Sequence, residues 1–562
     1  MIILGINYFF HDSTACLVID GKLVVALEEE RFSRQKHTTA FPATAIDKCL
    51  EIAGITYSDI DHVAVSIKPT KDWPKKAAYG LRYLTRARPF VRHEIWHAYF
   101  KQRALRNWHA AAFRGIKNAP KLWFIPHHQS HAGGTFAVSP FESAAILSLD
   151  GSGEWSTSFL GYGEGSKIQQ FHESYFPMSL GSFYEAATEF CGFRPNYDEG
   201  KTMGLAPMGN PDRFHDAVSE IVGVGEDGQI RIDLSYFNYQ HWGHRRCGQK
   251  FVTTFGEPRT KTGEFQQHHL DVAAAFQRVL EDGALQMCSI LRRKTNSKNL
   301  VIAGGVSLNS VMNGKIVRHG GFDDIYVMPA AGDNGTAIGA AYFLYNCILG
   351  KERNFFHNDP YVGNEYSNSE IASTISECKL KAEYHEDIES VGARLLHAGQ
   401  ILGWHQGRME IGPRALGNRS ILANPTLPHM KDKINAEVKH REAYRPFAPS
   451  ATIEDQSRFF EDMGNNPFML KVCDVLAEAK QLLPAITHVD GSARLQTVHK
   501  DTNPRYHSLI KKFGELTGVP VLLNTSFNIM GEPMVESPLH AIRCFFSTGI
   551  DSLVIGNYLI QK

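Results

Sequence analysis

Two histidines one helical turn apart constrain this sequence more strongly than any other feature. His127 and His131 follow Pro126, and on a helix that begins at this proline both imidazoles project from one face. This spacing is typical of metal ligands, and neutral imidazoles favour zinc, iron, copper or nickel. An isolated pair of this kind also occurs on ordinary surface helices, so the neighbouring sequence has to decide between the two interpretations.

A predicted buried strand after the histidines favours the metal site. The apolar run 141–149 indicates a strand that delivers Asp150 into a turn containing Gly151 and Gly153. A carboxylate at a strand end would complete a mixed nitrogen and oxygen site. The sequence therefore predicts metal or phosphate chemistry at this position.

Length and composition indicate a globular cytosolic enzyme. A chain of 562 residues is too long to fold around a single hydrophobic core of ordinary size, so its length predicts two domains or three. The formal net charge of zero gives no global argument for a nucleic-acid or membrane partner, and no segment has transmembrane length or a signal-peptide pattern. The nine cysteines contain no CxxC pair, which argues against a zinc ribbon or a disulfide framework and predicts reduced, cytoplasmic thiols.

The amino terminus is typical of one half of an actin-like ATPase. Residues 2–9, 15–19 and 22–27 predict strands, with a polar loop after the first and a hairpin turn at Asp20-Gly21. Many unrelated hairpins share this pattern. Two later glycine-rich segments, 300–309 and 329–339, add weight because backbone without side chains lets a nucleotide approach closely. The same glycines would also permit tight packing of strands against helices.

A basic segment interrupts the first domain. Residues 71–121 carry thirteen lysines or arginines against Asp72 and Glu94, interleaved with tryptophans and tyrosines, and predict a helical insertion. Such a pattern suits an anionic or sugar-like acceptor, or nucleic acid. A solvated basic helix packed by its aromatic face is the plainer alternative.

A polar, turn-rich stretch divides the chain. Residues 350–370 predict a linker between a first domain at 1–349 and a second at 371–562. Predicted strands at 401–404 and 519–523 give the second part its own α/β pattern.

The second domain combines guanidinium groups with glycine, proline and asparagine turns. Guanidinium forks hold phosphate through paired hydrogen bonds, and lysine adds a compact charge. The pattern predicts an anion site, although single surface charges are common. The candidates are Arg414, Arg419, Lys439, Arg441, Arg445, Arg494, Ser526 and Asn528.

These motifs together resemble one known family, the O-carbamoyltransferases of the NodU/CmcH type. The resemblance covers nearly the whole chain. It rests on GIN and HDS at the amino terminus, EEERFSRQK, HHQSHA, YDEGKTMGLAP, GGVSLN, GDNGTAIGAA, GRMEIGPRALGNRS and NTSFN.

The resemblance implies a fold and a two-step reaction. The expected fold is α/β, with a duplicated actin-like (ASKHA) ATPase domain related to TsaD, followed by a YrdC-like domain. The second domain would convert carbamoyl phosphate and ATP, bound with Mg²⁺, into carbamoyl-adenylate. The intermediate would pass through the interior to the first domain, where an acceptor hydroxyl attacks the carbamoyl carbon and AMP leaves. Coupled sites limit the exposure of this labile adenylate to water.

The resemblance also implies roles for single residues of the first domain. The metal, divalent iron or another transition metal, would be held by His127, His131, Asp150 and Asp333. Nucleotide and carbamoyl contacts are expected from Gly151, Gly153, Glu199, Lys201, Gly304, Gly305 and Asn309.

Three residues near the amino terminus are candidate catalytic groups. His11 is the expected base for the acceptor hydroxyl, because imidazole titrates near neutral pH. Asp12 could instead orient that base or hold magnesium, and Lys36 would steady the carbamoyl oxygen or the phosphate. In the second domain, Ser526 and Asn528 would hold the carbamoyl or ribose end while the cations neutralise phosphate.

Alternatives from other functional classes stay open at this point. TsaD-like and YrdC-like proteins also modify tRNA, and an actin-like cleft also serves sugar kinases or a non-catalytic, ATP-gated scaffold. The absence of net charge argues against tRNA, and two separate donor-rich sites argue against a scaffold. We expect a hydroxyl-bearing small molecule as acceptor, no nucleic acid and no membrane, with a homodimer as the default assembly. No motif identifies the acceptor.

Overall fold

The chain forms two compact units in this computed structural model, which describes residues 1–242 and 245–562. The first unit comprises Met1–Val24, Thr39–Pro42 and Cys49–Phe356, and the second comprises Val25–Thr38, Ala43–Lys48 and His357–Lys562. The change at residue 356 falls inside the predicted linker, 350–370. The two short segments between Val25 and Lys48 group with the second unit although they lie near the amino terminus.

The first sheet of the first unit is built around the amino-terminal strand. Its strands are β1 Ile2–Asn7, β2 Thr14–Ile19, β3 Lys22–Glu28, β4 His62–Val65 and β5 Lys121–Phe124. They pair in the order β3-β2-β1-β4-β5, with β2 antiparallel and β4 parallel to β1. The central strand is almost wholly apolar and buried, as expected of a strand covered on both faces.

The second sheet of this unit repeats that topology. The further strands are β6 Ser143–Leu149, β7 Ser156–Glu164, β8 Lys167–Tyr175, β9 Val222–Val224, β10 Ile230–Ile232, β11 Asn299–Ala303 and β12 Asp324–Val327. The order β8-β7-β6-β11-β12 matches the first sheet strand for strand, again with an antiparallel neighbour on one side of the central strand and a parallel one on the other. The first unit therefore contains one motif twice.

Helices connect and flank these strands. They span Ala43–Ala53, Trp73–Tyr83, Arg88–Ile95, Gln102–Ala112, His127–Phe136, Leu180–Phe190, Glu199–Leu205, His215–Ile221, Gln249–Phe255, Gln267–Thr295, Ser310–His319 and Thr336–Tyr342. The basic segment 71–121 is helical, as predicted. Among the described residues, no helix combines the length and the apolar character needed to cross a membrane.

Two helices of the first unit touch through glycines. In this contact Gly133 and Gly134 of helix His127–Phe136 face Gly339 of helix Thr336–Tyr342. A Cβ atom at Gly339 would lie 1.8 Å from the carbonyl oxygen of Ser130, and one at Gly133 would lie 2.8 Å from the carbonyl oxygen of Gly339. The backbones approach this closely only because no side chain separates them.

Adding one methyl group at Gly339 is expected to disturb this contact. In Gly339→Ala the new Cβ meets backbone rather than a flexible side chain, so the helices must move apart, at a cost of about 3 kcal/mol in the free energy of unfolding. Thermal unfolding measures the loss. Gly223→Ala is the matched control, because its Cβ would meet nothing within 4 Å. Equal melting temperatures for the two variants would contradict the proposed packing.

The second unit centres on a mixed sheet. Its strands are β13 Glu383–Tyr384, β14 Leu402–His405, β15 Arg419–Ala423, β16 Ala448–Thr452, β17 Cys473–Asp474, β18 Ser492–Ala493, β19 Gln496–Val498, β20 Val521–Ser526, β21 Ser552–Ile555 and β22 Tyr558–Gln561. The order is β13-β22-β21-β14-β15-β20-β16-β19, and β17 pairs with β18. Both units mix helices and strands, which confirms the predicted α/β class.

Helices of the second unit bury one side of its sheet. They span Glu30–Ser33, Asn368–Glu377, Ile388–His397, Met430–Ile434, Ala477–Lys480, Pro504–Thr517 and Pro538–Phe546. Trp404 on β14 and Tyr506 in helix Pro504–Thr517 belong to one cluster of fully buried side chains.

The predicted linker is tied down on both sides of residue 356. The guanidinium group of Arg353 donates to the carbonyl oxygens of Ala137 and Phe141 at 3.0 and 2.6 Å, within the first unit. Within the second unit, Arg408 donates to the carbonyl oxygens of Val362 and Gly363 at 2.9 and 3.0 Å. Parts of the predicted linker are therefore hydrogen-bonded inside each unit.

Candidate metal centre and anion site

Four buried side chains of the first unit converge on one point. The Nε2 atoms of His127 and His131 are 3.0 Å apart, and that of His127 lies 3.0 Å from Oδ2 of Asp150 and 3.3 Å from Oδ1 of Asp333. Nε2 of His131 lies 3.6 Å from Oδ2 of Asp150 and 3.6 Å from Oδ1 of Asp333. One ligand atom from each residue falls within 4.8 Å of all the others. The structure thus brings together all four residues expected to hold the metal.

The chemistry of this donor set fits a divalent transition metal. Two neutral imidazoles and two carboxylates match the charge of a dication and supply the nitrogen and oxygen donors such ions take. Burial opposes ionisation of Asp150, but hydrogen bonds from His127 and His131 hold the pKa of its carboxyl well below the usual value. The Oδ1 atom of Asp333 is buried without a hydrogen-bond partner among the described residues. A bound cation would satisfy it.

The fold places each ligand at the end of an element. Helix His127–Phe136 begins directly after Pro126, as predicted, so both imidazoles leave its first turns. Asp150 follows β6, and its Oδ1 atom accepts from the backbone N–H of Gly305, which follows the parallel strand β11, at 3.0 Å. Asp333 opens the turn before helix Thr336–Tyr342. The glycine contact between the two helices therefore fixes the spacing of the ligands.

Two positioning residues were not identified from sequence. Asn7, at the buried end of β1, donates to the carbonyl oxygens of His11, Asp12 and Asp333 at 3.0 to 3.1 Å. The carboxylate of Glu154 accepts from the backbone N–H of His127 at 2.9 Å. A polar side chain that ends an otherwise apolar strand was the available signal for Asn7.

His11 and Asp12 lie beside the metal centre. Nδ1 of His11 is 2.9 Å from Oδ2 of Asp12, and its Nε2 is 3.7 Å from Oδ2 of Asp333. Burial alone would lower the pKa of His11, but the carboxylates of Asp333 and Asp12 outweigh it and raise the pKa above its ordinary value. Asp12 is therefore placed to orient the imidazole.

A second acidic group lies next to the turn after β6. A Cβ atom on Gly151 would be 3.3 Å from Glu185, which pairs with Arg246 at 2.7 Å. Burial and the carboxylate of Glu185 raise the pKa of Glu199 to about 7. Lys201, which was predicted to contact the nucleotide or the carbamoyl group, forms an ion pair with Asp198, with Nζ 3.2 Å from Oδ1.

Several predicted nucleotide-contacting residues pack against protein. A Cβ atom on Gly304 would lie 2.1 Å from the carbonyl oxygen of Leu149, and one on Gly153 would lie 2.8 Å from Cβ of His127. Asn309 caps helix Ser310–His319 through the N–H of Met312. These contacts alone account for the residue type at each position.

Four arginines of the predicted anion site lie close enough in the second unit to interact through their charges. Burial and the charge of Arg445 lower the pKa of Arg414 to about 10 and that of Arg441 to about 9. Burial and the charges of Arg414 and Arg445 lower the pKa of Arg494 well below its usual value. Glu442 is 3.7 Å from Arg445. The guanidinium groups repel one another, so a polyphosphate would relieve both the repulsion and the desolvation.

Lys439 extends this site toward the end of β20. Its buried Nζ donates to the backbone oxygen of Ser526, to the hydroxyl of Ser526 at 3.3 Å, and to the backbone and side-chain oxygens of Asn528 at 3.0 and 2.8 Å. Burial, followed by the charge of Arg441 and a smaller contribution from Lys36, lowers the pKa of Lys439 well below its ordinary value. Lys36 lies in a segment that groups with the second unit, and its predicted contact with the carbamoyl oxygen or the phosphate stays a prediction.

Arg419 does not join the cluster. It is fully buried, and the nearest ionised partners are Glu410 and Glu536. Its guanidinium donates at up to 3.4 Å to the backbone oxygens of Glu536, Gln406, Gly407, Asn418 and Asn364. The side chain holds loops together, and an anion would have to displace those bonds.

Comparison with known proteins identifies the family. A profile described as Carbamoyltransferase N-terminus matches residues 2–342, and one described as Carbamoyltransferase C-terminus matches residues 393–562. The chain belongs to the carbamoyltransferase family. It is accordingly an enzyme, a carbamoyltransferase, which confirms the predicted family and class.

Relatives of this carbamoyltransferase align along almost its whole length. Nodulation protein NolNO of Sinorhizobium fredii is 38% identical over 99% of this chain and 80% of that protein. The 3'-hydroxymethylcephem-O-carbamoyltransferase of Streptomyces clavuligerus is 28% identical over 97% of this chain and 96% of that protein. Among solved structures, the ADPNP-bound activator of 2-hydroxyisocaproyl-CoA dehydratase from Clostridium difficile gives a TM-score of 0.31 at 13% identity, over 61% of this chain and 94% of that one. A score this low does not establish a common fold.

Proposed function

We propose that this carbamoyltransferase is ATP-dependent and modifies a hydroxyl group. In this scheme the second unit makes carbamoyl-adenylate from carbamoyl phosphate and ATP. Hydrolysis of carbamoyl phosphate releases phosphate and leaves carbamate, whose oxygen attacks the α-phosphorus of ATP as pyrophosphate leaves. The first unit then transfers the carbamoyl group to a small-molecule acceptor, releasing AMP. The proposal rests on two sets of side chains of opposite charge. The first unit holds the carboxylate and imidazole groups of the four-ligand centre, and the second unit holds the arginine cluster. The name of the cephem O-carbamoyltransferase supports a hydroxyl acceptor.

We further propose that the first unit is actin-like and the second YrdC-like. Support for the first comes from its duplicated strand order, β3-β2-β1-β4-β5 and β8-β7-β6-β11-β12, with parallel and antiparallel neighbours in matching places. Support for the second comes from the anion-binding chemistry of its central site and from the family resemblance.

The arginine cluster suits adenylate formation. Carbamoyl phosphate and ATP, bound as its Mg²⁺ complex, both carry negative charge. The surrounding protein offers Arg414, Arg441, Arg445 and Arg494, with the carboxylate of Glu442 beside Arg445. These fixed donors would stabilise the negative charge that develops as pyrophosphate leaves. Lys439 holds Ser526 and Asn528 at the edge of the cluster, where they can orient a neutral carbamoyl group.

The four-ligand centre suits the transfer step. His127, His131, Asp150 and Asp333 would hold a divalent transition metal, iron by family resemblance, which supplies Lewis-acid polarisation. The acceptor oxygen attacks the carbamoyl carbon, the bond from that carbon to the adenylate oxygen breaks, and AMP leaves. The hydroxyl proton passes to a base. Nε2 of His11 would serve as that base once a cation at the four-ligand centre offsets the carboxylate charge that raises the pKa of the imidazole, with Asp12 orienting the ring through Nδ1.

Substitutions at this pair separate the base from its orienting residue. We expect His11→Ala to slow carbamoyl transfer by a factor of about 10² to 10⁴, the usual contribution of a general base. Asp12→Asn should slow carbamoyl transfer less than His11→Ala does, because the imidazole stays in place and loses only its charged partner. The measurement is single-turnover transfer from preformed carbamoyl-adenylate. If Asp12→Asn abolishes transfer while His11→Ala retains it, Asp12 is the essential group and His11 is not the base.

The first test of the overall function uses the wild-type protein without acceptor. Incubation with ATP and carbamoyl phosphate should release pyrophosphate and yield carbamoyl-adenylate detectable by mass spectrometry. No pyrophosphate from a metal-loaded sample would contradict the scheme. Pyrophosphate release with bicarbonate and threonine in place of carbamoyl phosphate would favour a tRNA-modification chemistry instead.

A further inference from the structure

The helical insertion of the first unit exposes an apolar face. Large apolar side chains project from helices Trp73–Tyr83 and Arg88–Ile95 and from the residues after them, with exposed fractions of 40 to 73%. They are Trp73, Leu81, Leu84, Val91, Ile95, Trp96, Tyr99 and Phe100. Scattered single residues of this kind are ordinary, but a contiguous set marks an interaction surface.

Part of this face forms a groove between the two helices. It encloses about 630 Å³, and Trp73, Leu81, Leu84, Val91 and Ile95 lie along it. A buried ion pair, Lys76 with Glu94 at 2.6 Å, lies at the groove and holds the helices together. The exposed side chains are thus presented on a structured hairpin.

The insertion that carries this face has an excess of exposed cationic groups, of which Arg88 lines the groove. Ten of the thirteen basic residues in 71–121 are exposed, which are Lys75, Arg82, Arg86, Arg88, Arg92, Arg103, Arg106, Arg114, Lys117 and Lys121. The two acidic residues of the stretch are shielded: Asp72 pairs with Lys75 at 2.9 Å and Glu94 with Lys76, and their side chains are 14 and 11% exposed. The zero net charge of the whole chain conceals this local excess.

We infer, against the expectation of no membrane partner drawn from the net charge, that the insertion docks on an anionic lipid surface. Exposed tryptophan and leucine side chains would enter the boundary between headgroups and acyl chains, while arginines and lysines meet the anionic headgroups. A second copy of the chain fits less well, since pairing this face with itself would bring two cationic insertions together. Contact would be confined to one leaflet surface, because no described helix can span a bilayer. This inference is independent of the proposed reaction.

Vesicle co-sedimentation tests the inference on the full-length protein. We expect binding to vesicles of phosphatidylcholine with 30% phosphatidylglycerol, weakened by raised salt, and much weaker binding to phosphatidylcholine alone. The double variant Leu81→Glu, Leu84→Glu should lower the partition coefficient tenfold or more, since it removes two apolar anchors and adds negative charge. Both leucines are more than two-thirds exposed, so the fold should tolerate the change.

A matched control variant separates the face from general surface hydrophobicity. Leu539 in helix Pro538–Phe546 is 55% exposed, and Leu539→Glu should bind vesicles as the wild type does. Three results would overturn the inference: no binding to anionic vesicles at low salt, equal binding by the double variant, or a wild-type dimer in analytical ultracentrifugation that the double variant converts to monomer. The last result would assign the face to self-association.

Discussion

Replacing His127 with alanine is expected to abolish carbamoyl transfer while carbamoyl-adenylate formation continues. The variant removes the imidazole that lies closest to both carboxylates, 3.0 Å from Asp150 and 3.3 Å from Asp333. Outer-shell partners of metal ligands typically contribute 10- to 100-fold, so loss of a ligand should lower the transfer rate by at least about a hundredfold. Elemental analysis of the purified variant should show loss of the metal, which gives a readout independent of activity.

His128 provides the matched control in the same helix. Its Nδ1 and Nε2 atoms lie 2.9 Å from the hydroxyl of Ser148 and 3.2 Å from the carbonyl oxygen of Ser156, and neither is directed at the four-ligand centre. His128→Ala removes an equally buried imidazole and should keep its metal. Equal loss of metal in both variants would point to unfolding of the helix. Full transfer activity in His127→Ala would refute the catalytic role of the centre.

Replacing Arg494 with methionine should change stability and activity in opposite directions. The free energy of unfolding of the ligand-free protein should rise by about 1 kcal/mol. Methionine keeps the packing and removes a desolvated charge that repels Arg414 and Arg445. Carbamoyl-adenylate formation should fall by about a hundredfold or more, because a donor to the developing negative charge is lost. The two measurements are the melting temperature without ligand and the rate of pyrophosphate release.

An exposed arginine of the same unit serves as control. Arg543, whose side chain is 72% exposed, lies 3.7 Å from Glu532, and Arg543→Met should change neither quantity appreciably. Lower stability of Arg494→Met with unchanged adenylation would mean that Arg494 is a structural residue. Transfer from preformed carbamoyl-adenylate should be normal in this variant, which distinguishes it from His127→Ala.

Local spacing was enough to predict the elements that carry the metal centre. The helix predicted after Pro126 spans His127–Phe136, and the strand predicted over 141–149 spans Ser143–Leu149 and delivers Asp150 as expected. Both patterns depend on neighbouring residues, so no long-range information was needed. Asp333 lies far along the chain in a loop, and only the family resemblance suggested it.

For other predicted site residues, the structure shows contacts that residue type alone does not reveal. Arg419 has the sequence context of an anion ligand but sits on the central strand β15, where backbone oxygens take up its donors. Gly304 has the context of a phosphate loop, yet the 2.1 Å approach to Leu149 already requires a glycine. Lys36 follows strands of the first sheet but folds with the second unit. Each outcome depends on tertiary contacts between distant segments.

The glycine contact between helices His127–Phe136 and Thr336–Tyr342 would make metal binding by the proposed centre depend on completion of the first unit. The imidazoles are made early in synthesis, whereas Asp333 becomes available only after most of the unit has been made, and closing so long a loop is slow. A chain truncated before Thr336 lacks the surface that sets the spacing of the four ligands. A bound cation stabilises only the state that binds it. The metal would therefore add stability to the first unit only after that whole unit has been made and folded.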